Sequence, residues 1–369
     1  MTLDSISRRR LLILGAAAGA AGILSGCRRG QSDPTTASGS TPTGSIETES
    51  GNLKVFEWAG YELPELYPDY PYDAPKFTFM TSDEQALAKV ASGFRPDIVH
   101  PSVGYVRDWV DLDLIQPWDP SLLKNFSDLN PSMIEAGQID GQQYMIPLDW
   151  GFSSILYRAD KVDPGATESF SLFFDERYAG RISWWDNPWM MVIAGYVRGF
   201  SNPWDMTDEE LAMVKGDLID AKKVVRNLWQ SQTDMETDFA ADDIWITYAW
   251  PASWWAMNNE GLDVTYMDPA EGRLSWVEGL ILVKDTENYQ HAHAFANAWA
   301  SPQSGEWLIS NYAYGHANTS ISLDAIPPEL VKLLSLDDPS VLDEPRSHIQ
   351  QWFPRRVLYG QIWSEIKAA

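Results

Sequence analysis

Aromatic and acidic residues stand side by side at several places in this chain, and together they could bind a positively charged molecule. The segment Trp276-Val277-Glu278 places an indole and a carboxylate on one face of a strand, because residues i and i+2 share a face. Trp150 follows Asp149, and Trp184-Trp185-Asp186 ends a predicted strand. An indole face attracts a cation by about 0.5–2 kcal/mol, and a carboxylate adds a charge-assisted hydrogen bond. The pattern predicts a box for an organic amine.

Further aromatic residues follow predicted strands. Trp58 and Tyr61 come after the first strand, and Trp250, Trp254 and Trp255 come after another. The chain holds 18 Trp, 15 Tyr and 13 Phe, and a single aromatic residue more often fills a core or a surface than binds a ligand. Only a subset is therefore expected to form the box.

The elements that must position these residues alternate between strands and helices. Hydrophobic patterning predicts strands at 53–56, 97–100, 154–157, 181–184, 244–248 and 280–283, and helices at 82–92, 208–230, 291–299 and 305–311. The segment 53–100 forms a predicted βαβ unit with a parallel sheet. The fold class is therefore α/β, and ligand chemistry is expected at the carboxyl ends of strands.

Composition excludes several functions. The formal charge of −25 makes nucleic-acid binding implausible and favours cationic partners at long range. The five His residues form no His-Glu-x-x-His pattern, and the sequence contains no Walker A loop, nucleophile elbow or Cys-x-x-Cys pair. We therefore expect no metal, no cofactor and no enzymatic activity.

The amino terminus indicates export. Ser7-Arg8-Arg9-Arg10-Leu11-Leu12 precedes an Ala/Gly-rich apolar run that stops at Leu24-Ser25-Gly26-Cys27. The first segment resembles a twin-arginine signal and the second resembles a bacterial lipobox, whose cysteine is lipidated. We expect residues 1–26 to be a signal peptide, and residues 27–51 to be the lipidated Cys27 with a linker rich in Gly, Ser, Thr and Pro.

The order of several segments over residues 53–367 resembles the spermidine/putrescine-binding proteins of bacterial ABC transporters, within the extracellular solute-binding superfamily. These segments include Phe56-Glu57-Trp58-Ala59-Gly60-Tyr61, Pro96-Asp97-Ile98-Val99-His100-Pro101-Ser102, Tyr144-Met145-Ile146-Pro147-Leu148-Asp149-Trp150-Gly151 and Ser275-Trp276-Val277-Glu278-Gly279. The resemblance implies a two-lobe fold of the type II periplasmic-binding-protein class, with a ligand cleft between lobes joined by crossover strands. Residues 52–149 plus 277–325 would form lobe 1, and residues 150–276 plus 326–369 would form lobe 2.

The same resemblance implies a set of ligand-binding residues. By matching position these are Trp58, Tyr61, Ser102, Asp186, Trp250, Trp276, Glu278 and Tyr314. A binding-site tyrosine of the family falls on Gly104, so the adjacent Tyr105 takes its place, and the carboxyl-terminal glutamine contact falls on Gln351 or Gln350. Asp186 and Glu278 would meet ammonium groups, and Trp250 and Trp276 would stack along the alkyl chain. A second acid of the family falls on Trp189 here. Asp149 could restore a carboxylate to the cleft or could satisfy loop amides.

The resulting hypothesis is a lipid-anchored protein in the periplasm or on the outer face of the cytoplasmic membrane, which captures putrescine, spermidine or a related amine for an ABC permease. Two alternatives remain open. A sugar or an opine could occupy the same aromatic site, because indole faces also stack on sugars. A secreted glycan-cleaving enzyme could use Asp186 and Glu278 as its carboxylate pair.

Overall fold

The computed structural model of the chain describes Glu49, residues 51–338 and residues 340–369. The predicted signal peptide, Cys27 and residues 28–48 of the predicted linker lie outside the described residues. Within the described residues, every helix is too short or too polar to span a lipid bilayer.

The described residues form a sheet of twelve strands and a separate pair of strands. Along the chain, the strands are β1 (Lys54–Trp58), β2 (Lys76–Met80), β3 (Ile98–Val99), β4 (Ile115–Gln116), β5 (Gln138–Ile139), β6 (Gln142–Gln143), β7 (Met145–Arg158), β8 (Ile182–Trp185), β9 (Val225–Trp229), β10 (Ile246–Ala249), β11 (Val264–Tyr266), β12 (Arg273–Val283), β13 (Gly315–His316) and β14 (Ser347–Ile349). The main path runs β2-β1-β3-β12-β7-β10-β8-β9; β11 and β13 pair with β7, and β4 and β14 pair with β12. Strands β5 and β6 form a separate pair.

Helices cover this sheet, as expected for an α/β protein. They are α1 (Asp83–Ala91), α2 (Val106–Asp111), α3 (Pro131–Ala136), α4 (Trp189–Val197), α5 (Asp208–Ala221), α6 (Gln232–Ala240), α7 (Pro251–Asn259), α8 (Tyr289–Trp299), α9 (Pro302–Tyr312), α10 (Pro328–Leu334) and α11 (Arg356–Ala368). Helix α1 begins after Ser82, whose side chain accepts a hydrogen bond from the backbone N–H of Gln85. The alternation of strands and helices confirms the predicted fold class.

Strands β7 and β12 join the two halves of the sheet. With 14 and 11 residues, they are the longest of the described strands, and they pair antiparallel with each other. On one side β12 pairs with β3, which leads to β1 and β2; on the other side β7 pairs with β10, which leads to β8 and β9. The lobe boundaries near residues 149–150 and 276–277 remain a prediction.

Several elements differ from the sequence-based predictions, and three of them show why. Strand β2 was not predicted, although it lies parallel to β1 and completes the β1–β2–α1–β3 unit. The predicted strand at 154–157 is the last part of the much longer β7. The predicted helix at 208–230 is wrong beyond residue 221, because the chain makes one 3₁₀ turn and then forms β9, which pairs with β8.

Candidate ligand-binding site

An aromatic cavity of about 280 Å³ lies over the strands β7, β10 and β12. Its lining consists of Trp58, Tyr61, Ser153, Trp185, Trp189, Gln232, Tyr248, Trp250, Trp276, Glu278 and Tyr314. Eight of these residues are aromatic, and Glu278 has the one carboxyl group in the lining. The structure thus brings six of the sequence-predicted site residues together, namely Trp58, Tyr61, Trp250, Trp276, Glu278 and Tyr314.

The pairing of β7 with β12 places Trp276 and Glu278 in the cavity. Trp276 lies opposite Gly151 and Glu278 lies opposite Asp149, so these four residues share one face of the sheet. Gly151 leaves room for the indole, because a Cβ there would approach Cζ2 of Trp276 to 2.4 Å. The register shifts directly after Glu278, which marks a β-bulge beside the site.

The carboxyl ends of the parallel strands β1 and β3 supply a second wall. Trp58 ends β1, and Tyr61 follows it after a tight turn through Gly60, whose φ is +103°. His100 and Ser102 follow β3 directly. The Tyr61 hydroxyl donates a hydrogen bond of 2.9 Å to Asp149, which ties this wall to β7.

A buried chain of acid–base groups lies beneath the cavity. The ring nitrogens of His100 lie 2.7 Å from Oε1 of Glu57 and 3.1 Å from Oδ1 of Asp149. Burial alone would lower the pKa of His100, but the two carboxylates raise it well above its usual value. Burial raises the pKa of Glu57. The three groups together hold more acid than base, with two carboxyl groups to one imidazole.

Burial and the neighbouring charges also shift the pKa of Glu278, which lies at the cavity surface. Burial raises the pKa of the Glu278 carboxyl well above its usual range, the charge of Asp149 raises it further, and His100 opposes both effects. The Ser102 hydroxyl oxygen lies 2.9 Å from a carboxyl oxygen of Asp83 and 3.2 Å from one of Glu278, and its single hydrogen can be donated to only one of them at a time. Burial raises the pKa of Asp83 to about 6. Each ionised carboxyl group in this small volume therefore makes it harder for its neighbours to lose a proton.

His100, Asp149 and Glu278 could together offer metal ligands, because one ligand atom of each lies within 4.8 Å of the others. Both ring nitrogens of His100 are already hydrogen-bonded to carboxylates, and its raised pKa favours the imidazolium form, which has no free lone pair. The arrangement therefore suits an ammonium group better than a metal ion.

The far wall of the cavity is a cluster of stacked rings. Trp185 stacks on Tyr248 with ring centroids 5.1 Å apart, and Trp250 packs edge-on against Trp185 at 5.3 Å. Trp189 also lines this wall. Sequence analysis did not propose Ser153, Trp185, Trp189, Gln232 or Tyr248 as ligand contacts. Ser153 lies four residues after Asp149 on β7, so the alternation along that strand could have indicated its position.

Asp186 does not line the cavity. Its carboxylate accepts hydrogen bonds from Gln230 at 2.7 Å, from Trp363 at 2.8 Å and from Lys367 at 3.0 Å. Burial alone would raise the pKa of Asp186, but these donors hold it below its usual value. The carboxylate expected to meet a second ammonium group is therefore committed to the carboxyl-terminal helix α11.

The remaining predicted residues lie near the cavity or away from it. Ser102 and Asp149 stand directly behind Glu278 and Tyr61. Tyr105 donates a hydrogen bond to Glu84, and the Arg356 guanidinium lies 3.5 Å from its ring centroid. Both Gln350 and Gln351 line a different surface cavity, with Trp352 and Ile349.

Comparison with known proteins fits this geometry. Residues 78–333 match the family of bacterial extracellular solute-binding proteins. The chain belongs to this family. This solute-binding protein is 24% identical over 277 residues to the spermidine/putrescine-binding periplasmic protein of Escherichia coli, with 73% of this chain and 78% of the relative covered.

Solved structures confirm the two-lobe fold. The spermidine/putrescine ABC transporter substrate-binding protein PotD from Streptococcus pneumoniae superposes with a TM-score of 0.72 at 20% identity, covering 86% of this chain and 99% of that chain. The binding protein MotA from Agrobacterium tumefaciens, solved with glucopine, superposes with a TM-score of 0.69 at 14% identity, covering 86% and 100%. Such low identities support the fold and do not identify the ligand.

Proposed function

We propose that this solute-binding protein is the ligand-capturing component of an ABC importer and that it binds a polyamine, such as putrescine or spermidine, or a related organic amine. The observation that carries the proposal is the aromatic cavity, in which eight rings surround a single carboxylate, Glu278. Indole and phenol faces attract a cation, and they also cover methylene groups. The names of the relatives support the same class of ligand.

The charges below the cavity support a cationic ligand. Within the described part of the chain, no Lys or Arg forms an ion pair with Glu57, Asp83, Asp149 or Glu278. His100 offsets Glu57 and Glu278, and the charge of Arg356 acts on Asp83 without forming an ion pair with it. An ammonium group placed at Glu278 would supply the missing positive charge in a site where water is largely excluded, so its attraction would be stronger than at an open surface.

The alternative ligands fit less well. An opine carries carboxylates, and none of the cavity-lining residues in the described chain is basic. A neutral sugar could stack on the indole rings, but it would leave the acidic cluster without a counter-charge. Affinity for a sugar would not depend on salt or on the charge of Glu278.

An enzymatic role has little support. A glycan-cleaving enzyme would need Asp186 and Glu278 on either side of one bond, but Asp186 is paired with Lys367 and lies outside the cavity lining. The proposed function therefore makes and breaks no covalent bond. Binding instead closes the two lobes over the ligand, with β7 and β12 as crossover strands between the proposed lobes.

The cellular setting follows from the family and the amino-terminal sequence. Export through the twin-arginine-like signal and lipidation of Cys27 would tether the protein to the outer face of the cytoplasmic membrane or in the periplasm, beside its permease. The segment that begins at residue 28 would then act as a spacer between the anchor and the lobes. The predicted linker ends before residue 51, because the Glu49 carboxylate already accepts hydrogen bonds from the backbone N–H groups of Gln290 and His291 at the start of α8.

Calorimetry tests the ligand class. The panel consists of putrescine, spermidine, choline compounds, a neutral sugar and acidic amino acids. We expect at least one amine to bind with micromolar or better affinity, which corresponds to about 8 kcal/mol. Tight binding of an anion or a sugar together with no heat from any amine would reject the amine assignment.

A matched pair of variants tests the site. Glu278→Gln keeps the shape of the side chain and removes its charge, so amine affinity should fall about 10- to 100-fold because a charge-assisted hydrogen bond is lost. Lys367→Ala removes a partly exposed lysine from its ion pair with Asp186, outside the cavity lining, and should change affinity by less than about threefold. Equal effects of the two substitutions would show that the site is misplaced.

A further inference from the structure

The charged groups of the aromatic cavity are all at one end. Glu278 has the only carboxyl group in the described lining, and it lies opposite Asp149 at the β-bulge of β12. Ser153 lies four residues further along β7, which is about 13 Å along the strand. In this direction the lining residues are neutral. A long ligand would therefore meet carboxylates at one end only.

Two acids beside lining residues at the neutral end, Asp186 and Glu236, lie outside the cavity lining. Asp186 accepts its hydrogen bonds from Gln230, Trp363 and Lys367. Glu236 lies behind Gln232 and accepts hydrogen bonds of 2.8 Å from Gln232 and 2.9 Å from Ser253. The cavity is therefore lined here by the neutral amide of Gln232 and not by the Glu236 carboxylate.

Two buried hydroxyl groups at the neutral end lack hydrogen-bond partners. Ser153 and Tyr248 are fully buried and line the cavity, and neither side-chain oxygen has a hydrogen-bond partner. The two hydroxyls lie close to each other without forming a well-shaped hydrogen bond. Buried polar groups that lack a partner are costly, so a ligand group that pairs with them gains affinity.

We infer that the cavity selects amines with one positive charge at the Glu278 end and a neutral hydrogen-bonding group, such as a hydroxyl, at the Ser153–Tyr248 end. This inference rests on the proposed function and narrows its ligand class. A diamine would bury its second ammonium group among neutral aromatic residues without a counter-charge, which is unfavourable. A zwitterion would bury a carboxylate where the described lining offers no basic side chain.

A matched series of straight-chain ligands tests this selectivity by calorimetry with the intact protein. At each carbon length, starting from that of putrescine, the series compares the diamine, the amino alcohol, the simple monoamine and the diol. We expect the amino alcohol to bind at least about tenfold more tightly than the diamine of equal length, and we expect no binding of the diol. A diamine that binds equally well or better overturns the inference and leaves the proposed function intact. If no amine in the series binds, both fail.

A second measurement isolates the hydroxyl end. Tyr248→Phe keeps the ring and removes the hydroxyl, so affinity for the amino alcohol should fall about three- to tenfold while affinity for the monoamine stays the same. Ser153→Ala should act in the same direction. If either variant lowered the affinities for the amino alcohol and the monoamine equally, or left both unchanged, the neutral end would be assigned to the wrong residues.

Discussion

At the level of single residues, the proposed ligand contact Glu278 has a pKa well above its usual range. It lies opposite Asp149 across the strand pair, and one of its carboxyl oxygens lies 3.2 Å from the Ser102 hydroxyl. Burial and the Asp149 charge both favour the protonated form of Glu278 in the empty protein. A bound ammonium group favours the ionised form instead. Ligand binding and loss of a proton from Glu278 are therefore coupled.

This coupling predicts a pH dependence of affinity. Because the pKa of Glu278 is raised, amine affinity should increase with pH until the free protein has lost this proton, and it should decrease as the pH falls below that point. Binding below that point should release a proton, which calorimetry detects as a difference between buffers with unlike ionisation enthalpies.

Glu278 shares this cluster with Glu57, Asp83, His100 and Asp149, and burial raises the pKa of Asp83 to about 6. The Glu278→Gln variant is the control, because it keeps these groups and should lose most of the proton release. Affinity that stays constant between about pH 5 and pH 8 would contradict the assignment of Glu278.

Residue-level prediction succeeded where the evidence was local. The i, i+2 spacing of Trp276 and Glu278 placed both side chains on one face, and both line the cavity. Local spacing could not predict the hydrogen-bond partners of Asp186, because one of them, Lys367, lies 181 residues further along the chain. The buried link between Glu57 and His100 likewise depends on the packing of two strands, which no spacing rule reveals.

At the level of elements, the pairing of β7 with β12 shapes the cavity. Gly151 stands directly opposite Trp276, and the indole occupies the space that a side chain at residue 151 would need. The position of Trp276 in the cavity therefore depends on the absence of a Cβ on the neighbouring strand.

Substituting Gly151 tests this dependence. Gly151→Ala should displace the Trp276 ring, lower the free energy of unfolding by about 1–3 kcal/mol, and reduce amine affinity by about tenfold or more. Denaturant unfolding and calorimetry measure the two effects.

Gly216→Ala is the matched control. Gly216 lies in helix α5 with no atom within 4 Å of an added Cβ, so the substitution should stabilise the fold by about 0.5–1 kcal/mol and leave affinity unchanged. Normal amine binding by Gly151→Ala would show that the Trp276 position does not depend on this glycine.

Element boundaries were predictable where capping residues mark them. Helix α1 was predicted at 82–92, and Ser82 and Ser92 cap it in the structure. Helix α5 has a capping box at Thr207 and Glu210 that marks its start. No glycine or proline marks its end, so the amphipathic pattern continued into β9, whose strand conformation comes from pairing with β8. Tertiary pairing thus overrode the local pattern.

At the level of the whole molecule, the net charge and the proposed lipid anchor would both favour capture of cations at a membrane surface. The formal charge of −25 would attract amines at long range, and the attraction would weaken as salt is added. The amino-terminal sequence would keep the protein close to its permease. Anchoring and capture are separate properties, so they can be tested independently.

Lipidation predicts a specific amino terminus. Mass spectrometry of the protein isolated from its host membrane should find Cys27 as the first residue with an attached lipid, and Cys27→Ser should release the protein from the membrane fraction with amine affinity unchanged. Recovery of a chain that begins upstream of residue 27, or that carries an unmodified Cys27, would contradict the anchor.

A crystal structure of the protein with its tightest-binding amine tests the central claim most directly. The account predicts that the ammonium nitrogen lies within about 3 Å of a Glu278 carboxylate oxygen, with the carbon chain against the rings of Trp276 and Trp250 and the amine chemically unaltered. An amine bound elsewhere, or held in the cavity without contact with Glu278, would contradict it.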